Sequence, residues 1–292
     1  KGLVARSELS LTRSSSKSTY YENGYTNGDK RATLNRGMGD GLRSVSTLNY
    51  NFNIGKNNVF SALLGNEVLK SDSESSQITG RGYPSTFDYD TTMGLIHTAT
   101  TSFSATNSYS VPARTVSFFG RLSYTFMDRY LFTGTFRADG SSKFAPDNRW
   151  GYFPAGAFAW RLSEEPFMNG TKDWLSNLKL RLSYGTSGSD NISSNLWRET
   201  WSSLGSGSNH TPINGELGSF YRPDGLLANS KLKWETTISR NFGIDFGFLN
   251  NRVNGSLEVY WNTTKDLWIT LPDTLTSSRT SVKHPIVVLS FR

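Results

Sequence analysis

The sequence contains no cysteine, which excludes a disulfide scaffold and any cysteine-based metal centre. Histidine is scarce too: His97, His210 and His284 stand far apart, at no metal-ligand spacing, and solvated loop positions are the simpler reading. No run of about 18 apolar residues exists, so no transmembrane helix is expected. The longest apolar stretch, 152–160, is too short and is broken by Pro154. Blocks of like charge are also lacking. The 31 Lys and Arg against 24 Asp and Glu leave a net charge of +7, but the cations are dispersed and give no nucleic-acid footprint. No secretory leader opens the chain at Lys1, which leaves either a cytoplasmic protein or an N-terminus that lies elsewhere. None of these absences excludes a membrane barrel, whose strands need about 9–11 residues with only every second one apolar.

What is present is alternation. In 116–126, Val116, Phe118, Gly120, Leu122, Tyr124 and Phe126 fall on one side; Ser117, Phe119, Arg121, Ser123 and Thr125 fall on the other. Successive side chains of a β-strand point to opposite faces, so this is a strand with one oily face and one mostly polar face. The pattern repeats after a tight turn at Met127–Asp128, in 130–137, in 150–162 and in 178–184. Upstream, 42–54 alternates well, 59–69 less clearly and 3–11 weakly. Downstream, 232–248 and 253–261 alternate again. The stretches 12–41, 70–112 and 185–230 read as long polar loops, and Ser163-Glu164-Glu165-Pro166 suggests a single helical turn. After Leu267 no comparable order is visible.

Short and long connections alternate along the whole chain. About nine antiparallel strands in a meander, with every long loop at one end, fit part of a transmembrane outer-membrane β-barrel. A soluble sandwich has no reason to sort its loops this way. Trp150, Tyr152, Phe158 and Trp160 lie toward the ends of one oily face, where interfacial aromatic girdles belong. The opposite face carries Arg121, Arg137, Lys179, Arg181, Glu235, Asp245 and Glu258, which suits a wide polar lumen better than a soluble core. Arg240 alone resists the scheme. It falls on the oily stripe, where charge costs about 2–4 kcal/mol at mid-membrane, and either a bulge or shielding from lipid is expected there.

Several blocks resemble a known family. Phe119-Gly120-Arg121-Leu122, Asp128-Arg129-Tyr130-Leu131 and Arg137-Ala138-Asp139-Gly140-Ser141-Ser142-Lys143-Phe144 are similar to the SusC/RagA TonB-linked outer-membrane proteins of Bacteroidetes. So are Phe153-Pro154, Trp160-Arg161, Glu164-Glu165-Pro166-Phe167-Met168 and Leu178-Lys179-Leu180-Arg181-Leu182-Ser183-Tyr184-Gly185. Trp234-Glu235-Thr236-Thr237, Gly243-Ile244-Asp245-Phe246 and Asn251-Arg252 continue the likeness. It is strongest over 116–267, and ordered blocks over that length are more specific than any single motif. The resemblance implies an outer-membrane location in a Bacteroidetes-type Gram-negative bacterium and a large plugged barrel. It implies uptake of oligosaccharides or peptides with energy from TonB, and a SusD-like surface lipoprotein as lid. No plug or TonB box is found in the sequence, so residues 1–267 are expected to form part of a barrel wall, with 268–292 a divergent tail. The TonB complex would engage the parent through the plug region. Outer-membrane lipid and a glycan or peptide are the other expected partners. The alternative is a passive porin or structural barrel.

An enzyme is not expected, and neither a catalytic set nor a cofactor or metal site is assigned. Glu164 and Glu165 are adjacent, but neighbours in a turn diverge, and structural use is favoured over acid–base work. Gly205-Ser206-Gly207-Ser208 opens no helix and is a poor phosphate cradle. Asp139-Gly140-Ser141-Ser142 is read as turn chemistry before carbohydrate contact, and Asp88 with Asp90 as solvated acids before a calcium site. The site candidates are the loop aromatics Trp197, Trp201, Phe220 and Tyr221, placed to meet substrate or a protein lid, with plain loop packing as the simpler alternative.

Overall fold

The computed structural model describes residues 2–24, 29–203, 221–223, 228–267 and 282–291, with the strands at 201–203, 221–223 and 282–291 described by their backbone. Thirteen strands run in chain order: β1 (Gly2–Glu22), β2 (Arg31–Ile54), β3 (Asn58–Arg81), β4 (Ser102–Tyr109), β5 (Ala113–Phe126), β6 (Tyr130–Ser141), β7 (Trp150–Arg161), β8 (Leu175–Ser189), β9 (Trp201–Ser203), β10 (Tyr221–Pro223), β11 (Glu235–Phe248), β12 (Val253–Lys265) and β13 (Val282–Phe291). One sheet follows the order β1-β2-β3-β5-β6-β7-β8-β11-β12-β13, with β4 branching from β3, and β9 and β10 form a separate pair. This is an all-β antiparallel meander. The chain divides into two compact units. One comprises Lys1–Ser7, Val45–Glu67 and Thr115–Arg292; the other comprises Glu8–Ser44 and Val68–Arg114.

In the first unit the short turns sit where expected. Met127 and Asp128 both have positive φ (52° and 55°), the signature of a two-residue turn that matches strand twist. Leu249, Asn250 and Asn251 do the same between β11 and β12. The ladder then aligns the oily residues into rows. Tyr124 pairs with Phe132, Phe132 with Phe158, Phe158 with Leu182, Leu182 with Phe242, Phe242 with Val259 and Val259 with Val287. Rings stack from strand to strand along such rows: Phe52–Phe60 at 4.9 Å, Phe60–Tyr124 at 4.5 Å and Tyr124–Phe132 at 6.0 Å, with Phe132 and Phe158 meeting at a tilt. These stripes do not meet inside a sandwich. Phe118, Leu122, Phe132, Phe136, Tyr152, Leu182 and Phe242 are all exposed, from 36% for Phe242 to 62% for Tyr152. An oily, uncovered face of this extent needs a solvent other than water.

Four features differ from the sequence reading. The main ladder has ten strands rather than about nine, with β4 as a branch. The supposed loop 12–41 is largely strand and 70–112 is strand at both ends, because β1, β2 and β3 run on to Glu22, back to Arg31 and on to Arg81, and β4 spans Ser102–Tyr109. Beyond 267, β13 continues the ladder against β12, from Val282 opposite Thr264 to Phe291 opposite Gly255. No bulge explains Arg240, since the β8–β11 register shifts only between Gly247 and Phe248.

The second unit has its own small core of Ala32, Tyr83 and Ile96, with Leu34, Ile78, Phe87, Met93 and Ala99 packed against it. The Tyr83 hydroxyl donates to the Ile96 carbonyl at 2.7 Å, and buried Lys30 donates to the carbonyls of Ser85 and Phe87. Asp88 caps the short helix α1 (Tyr89–Gly94) by accepting from the Thr91 N–H. That is a folding role for a carboxylate first weighed as a calcium ligand.

Candidate functional site

The second face of the first unit carries the charge, and the register decides how it is paired. Arg137 on β6 donates from Nε to both carboxylate oxygens of Asp139, at 2.8 and 2.9 Å, and from Nη2 to Glu67 at 3.1 Å and the Ser117 hydroxyl at 2.9 Å. Its guanidinium lies 5.4 Å from the centre of the Phe119 ring. Arg181 on β8 forms a two-bond fork with Asp245 on β11, at 2.9 and 2.8 Å, and also reaches Glu258 on β12. Lys179 adds a contact to Asp245 at 3.8 Å. Gly243 stands opposite both Arg181 and Glu258. A Cβ there would lie 3.0 Å from Arg181 Nη2, so the missing side chain is what lets one guanidinium cross a strand. Of the charges anticipated on this face, Arg137, Lys179, Arg181, Asp245 and Glu258 are therefore paired. Glu67 was not picked out from the sequence; counting by two from Leu63 through Gly65 would have placed it.

At the end of the sheet that bears the short turns, Glu164 is exposed and Glu165 is buried, so the adjacent carboxylates do diverge. Glu165 accepts from the Tyr130 hydroxyl at 2.6 Å and Trp160 Nε1 at 3.0 Å, with Arg129 at 3.4 Å. Tyr130, then Trp160, then the Arg129 charge hold its carboxyl below the usual carboxylate range, against the opposing effect of burial. The expected single turn is two short 3₁₀ segments, Leu162–Glu164 and Pro166–Thr171.

At the opposite end a second cluster ties the long loops together. Phe144, Phe153, Leu232 and Trp234 are buried, with Ile192 and Leu196 against them. Trp234, read as part of an oily stripe, precedes β11 and is buried here instead, its Nε1 donating to the Arg149 carbonyl at 2.8 Å. Gly188 is required because a Cβ would strike the Phe153 ring. The Ser141 hydroxyl donates to Asp190 at 2.7 Å and Lys143 Nζ to the Asp190 carbonyl at 2.9 Å, so Ser141 and Lys143 link the β6–β7 loop to the end of β8. Of the loop aromatics, Trp197 is half-buried with the Arg198 guanidinium 5.9 Å from its ring centre. Trp201 pairs with Pro223, and Tyr221 with Ser203, at opposite ends of the β9–β10 ladder. Phe220, His210 and Gly205-Ser206-Gly207-Ser208 lie outside the described residues.

A sheet with one uncovered oily face, one ion-paired face and connections sorted by length is barrel wall. The family model described as "TonB dependent receptor-like, beta-barrel" matches residues 4–283. The chain belongs to the TonB-dependent receptor β-barrel family. Its oily face is the lipid-facing surface in the outer membrane, its paired charges line the lumen side, and its short turns are those that face the periplasm in such barrels. The family is one of receptors that transport, not of enzymes. Over 160 residues, 55% of the chain, it is 42% identical to the TonB-dependent receptor SusC of Bacteroides thetaiotaomicron, covering 16% of that protein. Over 245 residues, 80% of the chain, it is 33% identical to the TonB-dependent receptor P26 of Formosa agariphila, covering 23% of it. The chain thus spans about a sixth to a quarter of these receptors. The fold matches a structure of the RagAB peptide transporter with a TM-score of 0.81 at 22% identity, over 99% of this chain and 32% of that one. Sequence and fold together place this receptor with the SusC/RagA type.

Proposed function

We propose that the barrel of which this wall is part imports oligosaccharides or peptides across the outer membrane, driven through TonB. In this reading a SusD-like surface lipoprotein closes over the loop end. The observation that carries it is the division of labour in the sheet: a lipid-facing side, a lumen side of paired charge, and a buried cluster that fixes the bases of the long loops. A fixed loop base presents aromatic side chains at low entropic cost. On that ground Trp197, Trp201, Phe220 and Tyr221 are assigned to contact with substrate or lid. RagAB, the fold relative, is described as a peptide transporter, which supports a peptide; an oligosaccharide is the other class that the family resemblance implies.

The test is uptake of labelled oligosaccharides and labelled peptides by cells that carry the parent gene or its deletion, with and without a protonophore. Active import predicts that uptake of one substrate class disappears on deletion and on de-energisation. Uptake that survives the protonophore would instead identify a passive porin. Trp197→Ala and Trp201→Ala in the intact receptor are expected to lower uptake about tenfold, the usual scale for a contact aromatic, with surface abundance unchanged by outer-membrane blotting.

A further inference from the structure

Arg240 is the one charge on the lipid-facing stripe of β11, among Ile238, Phe242, Ile244 and Phe246. Among the described residues it has no carboxylate partner. Its guanidinium lies 5.7 Å from the Tyr184 ring centre, and Nη1 donates weakly to the Thr263 hydroxyl at 3.4 Å. Height decides what it meets. Arg240 stands eight residues from Phe248 at the periplasmic turn. At about 3.3 Å per residue and a tilt near 40°, that is about 20 Å of rise in an apolar band about 25 Å tall. The side chain is long enough to carry its charge to the outer head-group level. Tyr184 and Trp261 flank it in register, as amphipathic rings do at an interface.

A second observation lies in the same row. Beyond Tyr184 come Gly156 and Gly134, side by side. A Cβ at Gly134 would meet nothing within 4 Å, and one at Gly156 would find only a backbone oxygen at 3.9 Å. The trough they leave is edged below by the Phe132 and Phe158 rings, which meet at a tilt with centroids 4.9 Å apart. It opens toward an apolar hollow of about 840 Å³ lined by Leu64, Phe118, Gly120, Leu122, Gly134 and Phe136. A forked cation with free donors beside an apolar trough is complementary to an amphiphile with a phosphate head and acyl tails. The geometry points to a binding site for a phosphate-bearing glycolipid of the outer leaflet, its phosphate on Arg240 and an acyl chain along Gly156 and Gly134.

The test uses the full receptor purified from its own outer membrane. Delipidated protein is offered bisphosphorylated lipid A, or the same lipid after enzymatic dephosphorylation, and retained lipid is counted by native mass spectrometry. Wild type is expected to retain the phosphorylated lipid about tenfold better, and Arg240→Gln to lose that preference, the scale of one charged hydrogen bond. Equal retention of the two lipids by wild type overturns the proposal, as does an unchanged preference in Arg240→Gln; Arg240 would then be a snorkelling anchor only. Heat-modifiable gel migration confirms that the variant barrel is folded. If it is not, the comparison of the two lipids on wild type decides alone.

Discussion

At the scale of single residues, two side chains act through what their neighbours omit or supply. Gly243 makes room for Arg181 to bind Asp245 and Glu258 together. Gly243→Val is expected to push the guanidinium off Glu258 and destabilise the barrel by about 1–3 kcal/mol, the range for overpacking, read by urea unfolding of the intact receptor. Glu165 depends on its donors. Its carboxyl is held below the ordinary value of about 4.3, first by the Tyr130 hydroxyl, so folding favours the ionised form. Its contribution is fully present above the unfolded value and is lost as pH falls through the lower folded one. Unfolding midpoints measured from pH 6 to pH 3 are expected to fall in wild type below about pH 4, and to fall less steeply in Glu165→Gln.

At the scale of elements, what separates a legible strand from a hidden one is its surroundings. The strands β5, β6, β7, β8, β11 and β12 could be read directly, because lipid on one side and a polar lumen on the other force a period of two. The outer lengths of β1, β2 and β3 could not. Residues such as Ser14, Ser15, Ser16 and Lys17 are exposed, both faces of the strand meet water, and hydrogen bonding alone selects the conformation. β13 hides differently: Ile286, Val287, Val288 and Leu289 form an unbroken apolar run whose period is invisible. Trp234 shows the reverse error, an apparent stripe residue that belongs to the loop-base cluster. Of the candidate site, the acidic and basic residues other than Glu67 were legible but not their pairing, since register alone brings Glu67 to Arg137 and Glu258 to Arg181. The lipid-facing row can be tested by Leu182→Arg. Near mid-strand it is expected to cost about 2–4 kcal/mol in unfolding from bilayers, whereas Ser183→Ala, one residue away on the lumen face, is expected to be nearly silent.

At the scale of the whole molecule, the oily face stays uncovered because the bilayer covers it. The purified chain is expected to aggregate in plain buffer and to stay dispersed in detergent, which size-exclusion chromatography resolves. A monodisperse species in plain buffer would contradict the membrane assignment. The loop cluster of Phe144, Phe153, Leu232 and Trp234 is the corresponding device at the loop end. Gly188→Leu is expected to expel the Phe153 ring and loosen the loops, seen as faster protease nicking within 190–234 while the strands stay protected.

The three-strand reach of Arg181 has one more effect, on assembly. Were β8 to zip against β11 one residue out of step, Phe242 or Ile244 would stand opposite Arg181 instead of Gly243. The two acids would then miss their cation by a full strand face. The trio is therefore satisfied in one alignment of β8 on β11 and broken by a single step in either direction.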